Sequence, residues 1–240
     1  MPEQLLDRQA SLLEHLTGGA GIFGAARGLS NAPALHGLDR GLLHPEARFS
    51  HEKRMQKIEW VLTRTLALLG QRRAEIVREF VDACPPTGIG WLENARQFHD
   101  FLKARWRREE PDPPWLPDVA AYELAYATVR SGENEAACEG DGAASGAVRR
   151  HPAAVLLRCA YDIVPILEDA AAPVPIRRAT LLAVAMLPGT DMPAVSALSS
   201  DLFELLEMLD GFVEPSLFQA AEAGKLIEQL AGSGLIEVHP

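Results

Sequence analysis

Seven histidines and three cysteines are the side chains of this 240-residue sequence best equipped for chemistry, and their spacing assigns them little of it. His44 and His51 stand seven apart and His99 adjoins Asp100. No H-E-x-x-H motif occurs, and no second histidine lies at helical spacing beside a carboxylate in a ligand pattern. Solvent-facing or capping histidines are the expectation, with His151-Pro152 a turn or packing element. Cys84 precedes two prolines, Cys159 lies in an apolar stretch, and neither they nor Cys138 form a C-x-x-C pair. An odd number of scattered thiols argues against a disulfide framework or structural zinc and suits the cytosol. No nucleophile signature surrounds them, so they read as inert thiols. The acid pairs Glu109-Glu110 and Glu133/Glu135 fall in loop-like segments where both carboxylates stay solvated, unlike a catalytic pair split by burial. No glycine-rich phosphate cradle is present. The chain reads as a non-enzyme with no cofactor and no metal of its own.

One basic cluster stands out: Lys103, Arg105, Arg107 and Arg108 around Trp106, followed at once by Glu109 and Glu110. Cations there satisfy the negative end of a helix, and a basic patch for a protein partner is the competing explanation. The candidate docking residues are Lys103, Arg105, Trp106, Arg107, Trp115 and Tyr122.

The elements that must position these residues are mostly helices. Apolar spacing predicts helices over 5–16, 50–69, 72–83, 91–107 and 118–130. The second carries Ile58, Val61, Leu62, Leu66 and Leu69 on one face and stops at Gly70. Prolines at 85–86 and 111–114 separate the later helices, and Pro117 opens the last. Glycine-rich residues 18–47 and residues 131–147 read as loops. Residues 149–158 read as a strand or short helix, and 170–175 as a linker. The N-terminus, Met-Pro-Glu-Gln, lacks the basic n-region and apolar run of a signal peptide, and no apolar run is long enough to span a bilayer. A cytoplasmic location is the expectation.

From Ile176 the pattern changes. Thr180–Leu187 is a continuous apolar run closed by Pro-Gly-Thr-Asp, which predicts a strand and a turn. Residues 192–197 predict a returning strand, placed at an edge by Pro193. Ser199 or Ser200 caps a helix whose core face is Leu202, Phe203, Leu205, Leu206 and Leu209, with Gly211 as its C′ residue. Short helices over 215–220 and 221–231 and a strand over 235–238 follow. The expected fold is mainly α: an N-terminal helical bundle over 1–170 and a small α+β, winged-helix-like domain over 175–240.

Charge separates two uses of such a domain. Residues 176–240 hold three basic side chains against nine acidic ones, within a chain of formal net charge −10. Duplex DNA is bound chiefly by neutralising phosphates, so this charge disfavours a DNA-binding transcriptional regulator, which stays the alternative reading. The same shape can hold a peptide by adding it as a strand to a sheet edge. The strand Thr180–Leu187 is the expected place, with Arg177, Arg178, Thr180, Leu182, Val184 and Met186 as the peptide-binding residues.

Several stretches together carry a resemblance. Phe80-Val-Asp-Ala-Cys-Pro-Pro, Phe98-His-Asp-Phe-Leu and Pro114-Trp-Leu-Pro-Asp-Val-Ala-Ala-Tyr-Glu-Leu-Ala resemble the N-terminal domain of a family long labelled DNA-binding, which includes the methanobactin biosynthesis helper subunit. His151-Pro-Ala-Ala-Val-Leu-Leu-Arg and Tyr161-Asp-Ile-Val-Pro-Ile-Leu-Glu resemble its next block. Leu205-Leu-Glu-Met-Leu-Asp-Gly and Leu226-Ile-Glu-Gln-Leu-Ala-Gly-Ser-Gly-Leu-Ile resemble its winged-helix-like end and the precursor-peptide recognition elements of ribosomal peptide pathways. The similarity runs over about 75–240, and the aromatic-Pro and Gly-Glu-Phe signature is absent around Leu69–Ala74. The resemblance implies a non-catalytic partner subunit, in heterodimer with a multinuclear non-heme iron oxidative enzyme that holds the iron itself. It further implies that the subunit grips the leader of a cysteine-containing precursor peptide and presents it for modification.

Overall fold

The computed structural model describes residues 2–24, 40–133, 145–169, 172–187, 189–214 and 223–239. Residues 25–39 of the expected 18–47 loop, most of the 131–147 connector, the expected short helix over 215–220 and Cys138 lie outside them. Among the described residues, every element up to Ser131 is a helix, and β-strands are mixed with helices after it. It divides into two compact units, Met1–Pro113 and Pro114–Pro240.

The first unit contains α1 (Pro2–Thr17), α2 (Gly19–Phe23), α3 (Arg40–Val61), α4 (Thr63–Leu68), a 3-10 turn at Gly70–Arg72, α5 (Arg73–Ala83) and α6 (Trp91–Trp106). Helix α3 is its hub and packs against α1, α2 and α6. Ile58, Leu62, Leu66, Phe80, Leu92, Phe98 and Leu102 are almost fully buried, and the Phe80 and Phe98 rings meet edge to face at 4.9 Å. The sequence reading placed a loop over 18–47, yet α2 and the start of α3 fall inside it. Pro45 sits in the second turn of α3, where it removes one internal hydrogen bond without ending the helix. Gly21 serves close approach: a Cβ there would run into the backbone carbonyl oxygen of His15.

The second unit contains α7 (Leu116–Ser131), β1 (Val148–Arg150), β2 (Val155–Cys159), α8 (Val164–Glu168), β3 (Thr180–Met186), β4 (Pro193–Leu198), α9 (Ser200–Met208), α10 (Ala223–Gly232) and β5 (Ile236–Val238). Strands β2, β3 and β4 form an antiparallel sheet in that order, while β1 pairs with β5. Leu182 lies between Leu157 and Ala197, and Val184 between Val155 and Val195. Side chains alternate across the sheet, so each face has its own core. Val155, Leu157, Val184, Met186 and Val195 pack with Ala125 and Val129 of α7. On the opposite face, Ala183, Ala185, Leu156 and Leu198 pack with Leu206 of α9, Leu209 just after it, Leu230 of α10 and Val148 and Ile236 of the β1–β5 pair.

This arrangement moves the expected boundary. Residues 170–175 do not divide two domains, because β2 before them pairs with β3 after them. Helix α7 belongs with the sheet for the same physical reason: the sheet's α7-facing side needs an apolar cover, and α7 supplies it. From β3 onward the described elements follow the expected order. Ser199 accepts a hydrogen bond from the Leu202 N–H and caps α9. The helix ends at Met208, earlier than a Gly211 C′ position requires, because Leu209 turns into the core and is 2% exposed.

Candidate functional site

Thr180, Leu182, Val184 and Met186 all project to the α7 side of β3, and Leu182 and Val184 are completely buried. Strand β3 is the middle of three, so the backbone groups along both its edges are already engaged with β2 and β4. A peptide cannot add there without displacing a native strand. The expected placement of a guest strand beside Thr180–Leu187 is therefore corrected: the residues are core, and their edges are occupied. Arg177 and Arg178 precede β3 at the end where β4 finishes, since Leu181 pairs with Leu198. Arg178 pairs with Asp162, whereas Arg177 is exposed and makes no ion pair among the described residues.

The sheet's outer strands are β2 and β4. Among the described residues no strand pairs with the outer side of β4. Its sequence, Pro-Ala-Val-Ser-Ala-Leu, carries no charge, and Ser196 and Ala197 are exposed. Edge strands usually carry charges or other features that block pairing, and here only Pro193 fills that role. Strand β2 differs: Arg158 projects from it, pairs with Glu207 of α9 and lies 4.5 Å above the Phe203 ring.

The candidate docking residues fall in both units. Lys103 and Arg107 are exposed near the end of α6 and Trp106 is half-buried. Arg105 is corrected from a docking residue to an internal tie: it is 8% exposed and pairs with Glu79 and Glu109. Its hydrogen bonds and these carboxylates hold its guanidinium above the usual arginine range, against the opposing and largest effect of burial. Trp115 immediately precedes α7, with its ring centroid 6.3 Å from that of Tyr161. Tyr122 lies 5.9 Å from Tyr126 and packs against the α7-facing core.

The structure also gathers residues that sequence reasoning left apart. His44 Nδ1 lies 2.8 Å from the Gly21 carbonyl oxygen, and His51 meets Phe23 edge to face at 5.5 Å. The buried Nδ1 of His51 has no hydrogen-bond partner. Burial, then the neighbouring Arg54 charge, lowers the His51 pKa, with Glu52 opposing. Arg54 is 8% exposed and stacks 4.3 Å over the Phe80 ring. It donates to Asn94 Oδ1 at 3.1 Å, the Cys84 carbonyl at 2.9 Å and Gln97 Oε1 at 2.6 Å. All three acceptors are neutral, and burial pushes the guanidinium down to about 10. The sequence carried the signal: Arg54 falls one turn before Ile58, on the face assigned to the core.

The two described thiols are Cys84, half-buried, and Cys159, buried. Burial raises both, with Cys159 pushed up to about 12 by burial and the Asp118 charge. Among the described residues no three His, Cys, Asp or Glu side chains group in a way that could hold a metal ion. No protein-family model matches this sequence, and no curated protein matches it.

Proposed function

We propose that the chain is a non-catalytic partner subunit that binds the leader of a precursor peptide by strand addition at β4 and presents the peptide to an iron-dependent oxidative enzyme in the cytosol. The observation that carries the peptide half of this reading is the uncharged outer strand Pro193–Leu198, in a sheet whose two faces are already covered. Main-chain hydrogen bonds along that strand supply affinity, and alternate guest side chains set register. Arg177, exposed beyond the end of β4, suits an acidic residue of the guest. The enzyme half rests on the resemblance of residues 75–240 to helper subunits of multinuclear non-heme iron enzymes. The electronegative C-terminal part supports polypeptide over polynucleotide as the guest.

The test takes a short cysteine-containing peptide and an iron-dependent oxidative enzyme, sought among the genes beside this one. The full chain is expected to co-purify with that enzyme, with iron held by the enzyme, and to bind the fluorescent peptide. Ser196→Lys and Ala197→Glu leave the core untouched and are expected to weaken peptide binding about tenfold or more, the cost of one mispaired charged contact. Unchanged binding by both folded variants would remove β4 as the site. Stoichiometric iron in the isolated chain would argue for an enzyme.

A further inference from the structure

We propose that the first unit holds a second, independent binding site: a cleft for a small aliphatic carboxylate, centred on Arg54. The cleft has a volume of about 210 Å³, below the ~300–1,000 Å³ typical of sites for larger ligands, so it suits a group of a few heavy atoms. Lys53, Arg54 and Lys57 line it, and among the described residues no aspartate or glutamate does, in a chain of net charge −10. Leu16, Ile22 and Ile89 supply an apolar wall, which favours a carboxylate on a hydrocarbon stem over inorganic phosphate.

Arg54 is the decisive residue. A buried cation without a counter-ion is costly, and such a charge is normally paired. Among the described residues no carboxylate pairs with Arg54, and its three hydrogen bonds use Nε and Nη2, leaving Nη1 without a protein partner. The orphaned Nδ1 of His51, on the same cleft, is a second polar group awaiting a hydrogen bond. A ligand carboxylate supplies the missing negative charge to Arg54, with Lys53 and Lys57 adding longer-range attraction at the rim. Lys57 is already anchored, donating to the Ile89 carbonyl oxygen at 2.7 Å.

The experiment titrates the isotope-labelled full chain with pentanoate, pentanamide and inorganic phosphate, following the His51 ring and Arg54 Nε–H signals by NMR. Pentanoate is expected to shift both signals saturably. Pentanamide and phosphate are expected to bind at least about tenfold more weakly, the effect of losing a charge-assisted hydrogen bond or the apolar contact. N-acetyl-Gly-Leu, with free or amidated C-terminus, distinguishes the source of the carboxylate: tighter binding of the free form than of pentanoate identifies a peptide end. Arg54→Gln is expected to abolish binding. Because Arg54 also ties α3 to α6 through Asn94, Lys53→Glu on the exposed rim is the second variant and is expected to weaken pentanoate about fivefold or more through like-charge repulsion. Equal shifts from pentanoate and pentanamide, or full affinity in a folded Lys53→Glu variant, would overturn the assignment.

Discussion

Phe80 and Asp118 show how individual side chains couple the polar and apolar parts of the two units. Phe80 is fully buried, meets Phe98 edge to face and carries the Arg54 guanidinium on its ring. Phe80→Ala leaves a cavity and removes that stacking surface. Urea unfolding should show a loss of about 3–5 kcal/mol for a residue of this size and burial. A loss under about 1 kcal/mol would mean that the site collapses freely. Asp118 accepts the Tyr161 N–H at 2.8 Å, fixing the chain before α8 to the start of α7. Burial raises its pKa, and hydrogen bonds from the Tyr161 and Ala160 backbones only partly oppose this. With the folded value above the unfolded one, the folded state binds the proton more tightly. Asp118 then contributes most at low pH, and stability falls as pH rises from the unfolded value to the folded one. Asp118→Asn keeps an acceptor and removes that titration. Its urea midpoint relative to wild type should rise through that window and then level off; a difference constant with pH would contradict the burial effect. At this scale the sequence was legible for apolar residues and poor for polar ones. Phe80, Phe98 and Leu102 follow helical spacing into the core, and Arg105 continues it three residues after Leu102, but its charge beside Lys103, Arg107 and Arg108 reads as part of a docking patch. Its partners Glu79 and Glu109 come from outside its own helix.

Element type proved easier to read than element partnership. The run Thr180–Leu187 reads as a strand because it is apolar, short and closed by a turn, and β3 forms there. Its central position depends on β2, whose sequence after His151-Pro152 fits a strand or a short helix equally well. Pairing of Val155–Cys159 with Thr180–Met186 then fixes β3 in the middle and leaves β4 outside. Proline substitution separates these positions. Leu182→Pro removes a donor from a strand paired on both sides and places a rigid ring in the core, so circular dichroism should show loss of the folded second unit rather than a selective binding defect. A folded Leu182→Pro protein would contradict the central placement of β3. Glycine content misled the reading of α2 for a related reason. Gly19 and Gly21 suggested a flexible loop, but they lie in a helix, and at Gly21 the His15 backbone comes too close for a Cβ. Gly21→Ala should lower the thermal midpoint by several degrees, and an unchanged midpoint would show that the contact yields.

Across the molecule, charge divides more clearly than sequence boundaries did. Residues 1–110 carry 16 basic and 14 acidic side chains, and residues 111–240 carry 7 and 19. That division falls close to the boundary between the two compact units at Pro113/Pro114, although the strand–helix pattern placed it near 170–175. The acidic second unit contains the uncharged β4 edge, while the first contains the cation-lined Arg54 cleft, so the two candidate sites favour different guests. The most direct test of strand addition is hydrogen exchange followed by mass spectrometry on the full chain, with and without a candidate precursor peptide, at physiological salt. Slowed exchange is expected across Pro193–Leu198, with the already paired β3 changing little, and duplex DNA should protect no segment. Peptide protection confined to other elements, or DNA protection of α10 without any effect of peptide, would contradict it.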